Sequence, residues 1–200
     1  AVGNGWGDIE VNFTTRHRWT DSMLQIRTTL QEWIAPLGDD GNTEAFSYRQ
    51  LLVMEAWAAL LAANLPAAFK LADSLDALSR TLRARLRTAQ SPEGARLCAE
   101  EWKSMVAPVL KRIAEVGGQE FKHGSACASE TCRMWSLLHT LAAEGLRRER
   151  DGGAAHHARS MTPAGFFSAM HGFIEHFFKC LFCRRHFLEQ YQMGSYGLDL

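Results

Sequence analysis

An all-α fold is what this sequence predicts. Apolar residues recur at steps of three and four almost throughout, helix-start signals stand before several of these runs, and strand-like alternation is confined to the short stretch DIEVNFTT. Met23, Ile26, Leu30 and Trp33 form the first amphipathic stripe. Ser47 reads as the N-cap of a second helix, YRQLLVMEAWAALLAANL, which ends at Pro66. A third helix is expected from Pro66 to about Thr88. In SPEG, Ser91 reads as an N-cap and Pro92 as the first helical residue of a fourth helix. That helix carries Leu97, Trp102, Met105, Val109 and Ile113, is expected to kink at Pro108, and stops at Gly117-Gly118.

After the loop GSACASETC comes a fifth helix with Trp135, Leu138, His139, Ala142 and Leu146. RRERDGGAAHHARSM reads as its charged end and a polar linker, with His156 and His157 on a solvated loop. Thr162 and Pro163 open a sixth helix with Phe166, Met170, Phe173 and Phe177, and a short seventh is expected from about Cys180 to Tyr191. The chain therefore divides into a four-helix part, residues 1 to about 120, and a three-helix part, residues 121 to 200, which share an apolar interface.

The 200 residues are enough to bury a substantial core. Lys plus Arg and Asp plus Glu each number 22, so the formal net charge is zero and the electrostatic footprint of a nucleic-acid binder is missing. Charged residues interrupt every apolar run short of the ~20 residues that a membrane span requires. The polar opening AVGNGWGDIE has neither an initiator Met nor the character of a signal peptide, and reads as the start of a processed or excised piece. Asn12-Phe13-Thr14 is a glycosylation acceptor if the protein is secreted.

Five cysteines are present, and four fall into close pairs, Cys127/Cys132 and Cys180/Cys183, leaving Cys98 as the orphan. The second pair lies in FFKCLFCRRHF, and its spacing admits three chemistries. A thioredoxin-type motif belongs in a βαβ pattern, which is not found here. A structural zinc site requires four ligands; Cys180, Cys183 and His186 offer three, with His176 or the other cysteine pair as the source of a fourth. A redox disulfide at a helix start is the third, with thiolates favoured by the helix N-terminus and by Lys179, Arg184 and Arg185. Cys127 and Cys132 close a short loop before the fifth helix. That pair reads either as a staple or as a second shuttle, and the scarcity of nearby bases other than Arg133 favours the staple. Trp135 and His139, four apart, share a helix face. They are either core or the wall of a site for a flat heteroaromatic ligand, with indole stacking and imidazole hydrogen bonding.

Taken together, CRMWSLLHTLAAEGL and MHGFIEHFFKCLFCRRHF resemble the Trp-x-x-x-His helix and the later Cys-x-x-Cys-x-x-His-Phe segment of the Erv/ALR-type sulfhydryl oxidases. SACASETC resembles the upstream cysteine pair of the quiescin sulfhydryl oxidase subfamily. The resemblance spans roughly residues 121 to 191. It implies a helix-rich pseudo-Erv region, residues 1–120, packed against an Erv-type helical bundle, residues 121–200, as a pseudo-dimer within one chain.

The same resemblance implies an FAD-dependent thiol oxidase of the secretory pathway or the extracellular space. Dithiol protein substrates would pass electrons through Cys180-Cys183 to FAD and then to O2, giving H2O2, and a thioredoxin-like domain is expected in the full-length chain. Cys183 would be the flavin-proximal cysteine and Cys180 the outer one. Trp135, His139, Phe182 and His186 would contact FAD, Arg133 would meet a phosphate, and Cys127-Cys132 would be structural. The family's further helix, with a Trp, a His and two Asn that hold FAD, does not follow before the chain stops at GSYGLDL. The flavin site is therefore expected to be incomplete within these residues. Two rival expectations are a zinc-stabilised helical module and a disulfide-stapled interaction domain without chemistry.

Overall fold

The computed structural model describes residues 14–32, 45–89, 96–118, 126–150 and 161–193. Seven α-helices lie among them: α1 (Thr14–Glu32), α2 (Tyr48–Asn64), α3 (Ala72–Thr88), α4 (Ala99–Gly117), α5 (Glu130–Arg150), α6 (Pro163–Phe177) and α7 (Leu181–Gln192). The fold is all-α, as expected. None of these helices is long and apolar enough to cross a membrane.

α2 occupies the centre because it is apolar nearly all round. Leu51, Met54, Trp57, Leu60 and Leu61 are buried, and α3, α5 and α6 pack around it. Its start is the expected one: the Ser47 hydroxyl accepts the Gln50 N–H while the Gln50 side chain accepts the Ser47 N–H. Against α6, the rings of Trp57 and Phe173 stack at 4.1 Å, and burial of each contributes roughly 1.5–3 kcal/mol. The helices come close at Gly172, where an added Cβ would lie 3.2 Å from a Val53 methyl.

α1 lies between α4 and α5. Met23, Ile26 and Leu30 are buried as the stripe predicts, and the Trp102 indole of α4 donates to the Leu30 carbonyl at 3.1 Å. The polar residues Thr20, Asp21, Ser22, Gln25 and Thr29 are buried as well. Ser22 and Thr140 of α5 are hydrogen-bonded at 3.3 Å, and Gln25 donates to Thr29 at 3.2 Å, which offsets part of the cost of taking these groups out of water. Side chains from both expected parts of the chain thus meet in one apolar core.

Several boundaries differ from expectation. The third helix does not begin at Pro66: a 3-10 turn over Ala67–Phe69 ends at Lys70 in the left-handed region, φ 52°, and α3 starts afresh at Ala72. The fourth helix begins at Ala99, and Cys98 caps it. The Cys98 N–H donates to the Glu101 carboxylate at 3.1 Å, and this bond together with the Arg85 guanidinium lowers the Glu101 pKa. Leu97 belongs instead to a two-residue strand, Leu97–Cys98, paired antiparallel with Ala45–Phe46, too short to leave a period-two signature. α4 runs on through Pro108 to Gly117. Of DIEVNFTT, Thr14 and Thr15 are helical and the rest lies outside the described residues, as do Asn12, Trp33, Ser91, Pro92, His156, His157 and the boundary expected near residue 120.

The fifth helix shows the most consequential difference. Its buried face is Met134, Leu137, Leu138 and Leu141, whereas Trp135, His139, Ala142 and Leu146 are exposed. Its far end is fastened to α2 by charge. Glu144 is buried and accepts from Arg147 at 2.7 Å and from Arg148 at 2.8 Å, and Arg148 also donates to the carbonyls of Ala63 and Leu65 at the end of α2.

Hydrogen bonding from Arg147, and then from Arg148, outweighs burial and lowers the Glu144 carboxyl from its ordinary 4.5. A depressed carboxyl pKa contributes stability that is fully present above pH 4.5 and is lost as pH falls through the folded-state value. Glu144→Gln should lower the denaturant midpoint by an amount equivalent to about 1–3 kcal/mol and flatten the acid limb of the stability curve. An unchanged midpoint with an unchanged acid limb would show that this clamp contributes nothing.

Candidate functional site

Two disulfides are present. Cys127–Cys132 has Cα atoms 5.4 Å apart, and Cys180–Cys183 has them 5.3 Å apart. Cys98 is a free, exposed thiol.

The Cys180–Cys183 pair forms because α7 starts there. Phe178, buried after α6, turns the chain in extended backbone, and Cys180 then becomes the N-cap of α7. Its sulfur accepts the Cys183 N–H at 3.2 Å, as a capping oxygen would. Both cysteines are half-buried, and both sit in the first turn of α7, where the helix carries positive partial charge. Lys179 and Arg185 add exposed positive charge, while Arg184 folds back to donate to the Glu175 carbonyl at 3.3 Å.

α7 presents two different faces. Cys183 and Phe187 face inward against the core. The Cys183 sulfur lies 3.9 Å from the Thr131 hydroxyl of α5, and Phe187 lies 6.5 Å from the Trp135 ring centroid. Tyr191 continues the row, 6.1 Å from Phe187 and 4.3 Å from the His171 ring of α6. The outward face is an open groove lined by Leu181, Phe182, Arg185, Leu188 and Gln192. Leu181 is 61% exposed and Phe182 73%.

The first turn of α5 is held by the other disulfide. Cys127 is buried, and its N–H donates to the buried Asp21 carboxylate of α1 at 3.4 Å. The Cys132 N–H donates to the Ser129 hydroxyl at 3.2 Å. Thr131, adjacent to Cys132, is thereby carried to Cys183.

The residues singled out in the sequence are therefore only partly brought together. Cys183 and Trp135 lie along the same α5–α7 seam, through Thr131 and Phe187. Trp135 is 39% exposed and His139 is exposed one turn further along, so neither is core. Arg133 is half-buried, and its Nε is buried with no hydrogen-bond partner among the described residues. Phe182 points the other way, into the outer groove, and does not join Trp135. His186 is exposed. His176 is buried with its Nε2 3.5 Å from the Glu175 carboxylate. Among the described residues no group of three His, Cys, Asp or Glu side chains is placed to hold a metal ion, so Cys180, Cys183, His186 and His176 do not converge as zinc ligands. Thr131, Phe187 and Tyr191 had no assigned role; Cys183, Phe187 and Tyr191 step by four, which marks them as one helical face.

No protein-family model, no curated protein and no solved structure matches this chain.

The Cys127–Cys132 bond closes a loop of six residues, for which loop-closure entropy gives about 2 kcal/mol. Cys127→Ala/Cys132→Ala should lose stability of that order in a denaturant titration, with a largely unchanged far-ultraviolet helical signal. A variant as stable as the native chain would remove the staple role.

Proposed function

We propose that this chain is part of a flavin-dependent thiol oxidase that forms disulfides in protein substrates, with Cys180–Cys183 as its redox pair. The observation that carries this reading is the position of Trp135 and His139. A Trp and a His four apart stand on the exposed face of α5, and a helix carrying a redox-capable cysteine pair is packed beside that face through Phe187. The partly exposed Trp135 ring, with an exposed His one turn on, offers a stacking face and a hydrogen-bonding imidazole to a flat heteroaromatic ligand.

The residues present fit a flavin nucleotide. Trp135 offers a ring face, His139 a hydrogen-bonding imidazole, and the Arg133 Nε has no acceptor among the described residues, which leaves it available to a phosphate oxygen. When bound, FAD supplies a two-electron acceptor that dioxygen reoxidises to give hydrogen peroxide. The protein's own residues do the thiol chemistry. A substrate thiolate attacks the half-exposed Cys180 sulfur, a mixed disulfide forms, and the electron pair of the broken bond leaves on Cys183. The second substrate thiol then displaces Cys180, and the substrate departs as a disulfide. Positive charge from the α7 N-terminus, Lys179 and Arg185 favours both thiolates. The exposed Leu181 and Phe182, next to Cys180, give a substrate protein an apolar landing surface. The two disulfides accord with an oxidising compartment such as the secretory pathway, and a thioredoxin-like domain in the full-length chain would serve as the intermediate dithiol carrier.

The full-length protein, supplied with FAD, should take on a flavin absorption band and consume oxygen when given a dithiol, whereas the 200-residue chain alone should retain FAD poorly. Cys183→Ser should abolish oxygen uptake while leaving the bound flavin in place, and Trp135→Ala should weaken flavin retention by about tenfold. A full-length protein that stays colourless with FAD, or whose oxygen uptake survives Cys183→Ser, would sink the oxidase reading.

A further inference from the structure

We infer that the Thr131 hydroxyl is the donor that stabilises the thiolate of Cys183 when an external thiol opens the disulfide at Cys180. This deepens the thiol-oxidase reading and rests on it for its biological meaning, although the chemistry requires only that Cys180–Cys183 be reducible.

Each sulfur of the pair has one protein donor described. The Cys180 sulfur accepts the Cys183 N–H at 3.2 Å, a backbone bond within α7. The Cys183 sulfur meets the Thr131 hydroxyl at 3.9 Å, a side-chain contact from another helix. In the disulfide this is a weak interaction, because a neutral sulfur is a poor acceptor. When the bond is cleaved at Cys180, the electron pair goes to Cys183, and the same hydroxyl then faces an anion. A hydrogen bond to a charged group is about twice as strong as one to a neutral group, so the contact favours the thiolate over both the thiol and the disulfide.

The position of Thr131 is set independently of α7. It stands in the first turn of α5, next to Cys132. Reduction of Cys180–Cys183 leaves that anchorage intact, so the hydroxyl remains in place for the thiolate. The charged and titratable groups close to Cys183 and Thr131 in the chain, and at the end of α6, are Lys179, Arg184, Arg185, His186, Glu130, Arg133, Glu175 and His176. None of them changes when the hydroxyl alone is removed, so comparison of Thr131 variants isolates its effect.

The test uses the 200-residue chain carrying Cys98→Ser and Cys180→Ser, so that Cys183 is the single free thiol and Cys127–Cys132 stays bonded. The rate of iodoacetamide alkylation of Cys183 is followed against pH by mass spectrometry. Thr131→Val, of the same shape without the donor, should raise the thiol pKa by about one unit. Thr131→Ser, which keeps the donor, should restore it to near the parent value. Titration curves that coincide for parent and Thr131→Val would overturn the inference, and so would a Thr131→Ser curve displaced as far as that of Thr131→Val, since the effect would then be one of packing. Lack of flavin binding or of oxygen uptake would count against the oxidase reading alone and would leave this titration as it stands.

Discussion

The candidate site depends on where α5 lies, and that helix is fixed at both ends. At its start, the Cys127–Cys132 bond closes the preceding loop, and the Cys127 N–H is held by the buried Asp21 of α1. At its end, Glu144 and Arg148 attach it to the last carbonyls of α2. Between these anchors Met134, Leu137, Leu138 and Leu141 are buried, which leaves Trp135 and His139 facing solvent. Apolar burial sets the rotation of the helix, and the polar ends set its position along the neighbouring helices.

α7 is a different kind of element. None of its residues is fully buried, and its ties to the rest include Cys183 against Thr131, Phe187 beside Trp135, Tyr191 on His171, and Arg184 on the Glu175 carbonyl. A helix with so little burial has a small share of the folding free energy, and such elements open locally at low cost. That suits the exchange with protein substrates proposed for the Cys180–Cys183 pair. The reactive end is nevertheless the ordered one, because Cys180 caps the helix with its own sulfur. A weakly buried helix with a well-made start thus offers both the access and the definite position that the proposed redox role requires.

Much of the architecture could be read from local chemistry. The Ser47 capping box, Thr162 followed by Pro163, and Cys180 before an apolar run are helix starts determined within four residues, and the structure has all three. The misread starts have non-local causes. Cys98 caps α4 because the preceding Leu97 pairs with Phe46, some fifty residues away. α3 begins late because Lys70 takes a left-handed conformation that its sequence does not announce; its carbonyl accepts from Arg112 of α4 at 3.2 Å. The two cysteine pairings follow from spacing. The faces of α5 and α7 do not, because apolar residues occur on more than one side of each, and periodicity then leaves the rotation open. Hence Phe182 turned outward, and Thr131 and Phe187 took the inner positions.

The sequence by itself determined the all-α class, the start of the second helix at Ser47 and the two cysteine pairs, since each depends on composition, short-range spacing or caps that operate within a turn or two. Only the tertiary structure decided which side of α5 faces water, that Thr131 meets Cys183, and that His186 is exposed. Those outcomes depend on how three helices distant in the chain share one core, and a linear pattern carries no term for the competition among faces that burial resolves.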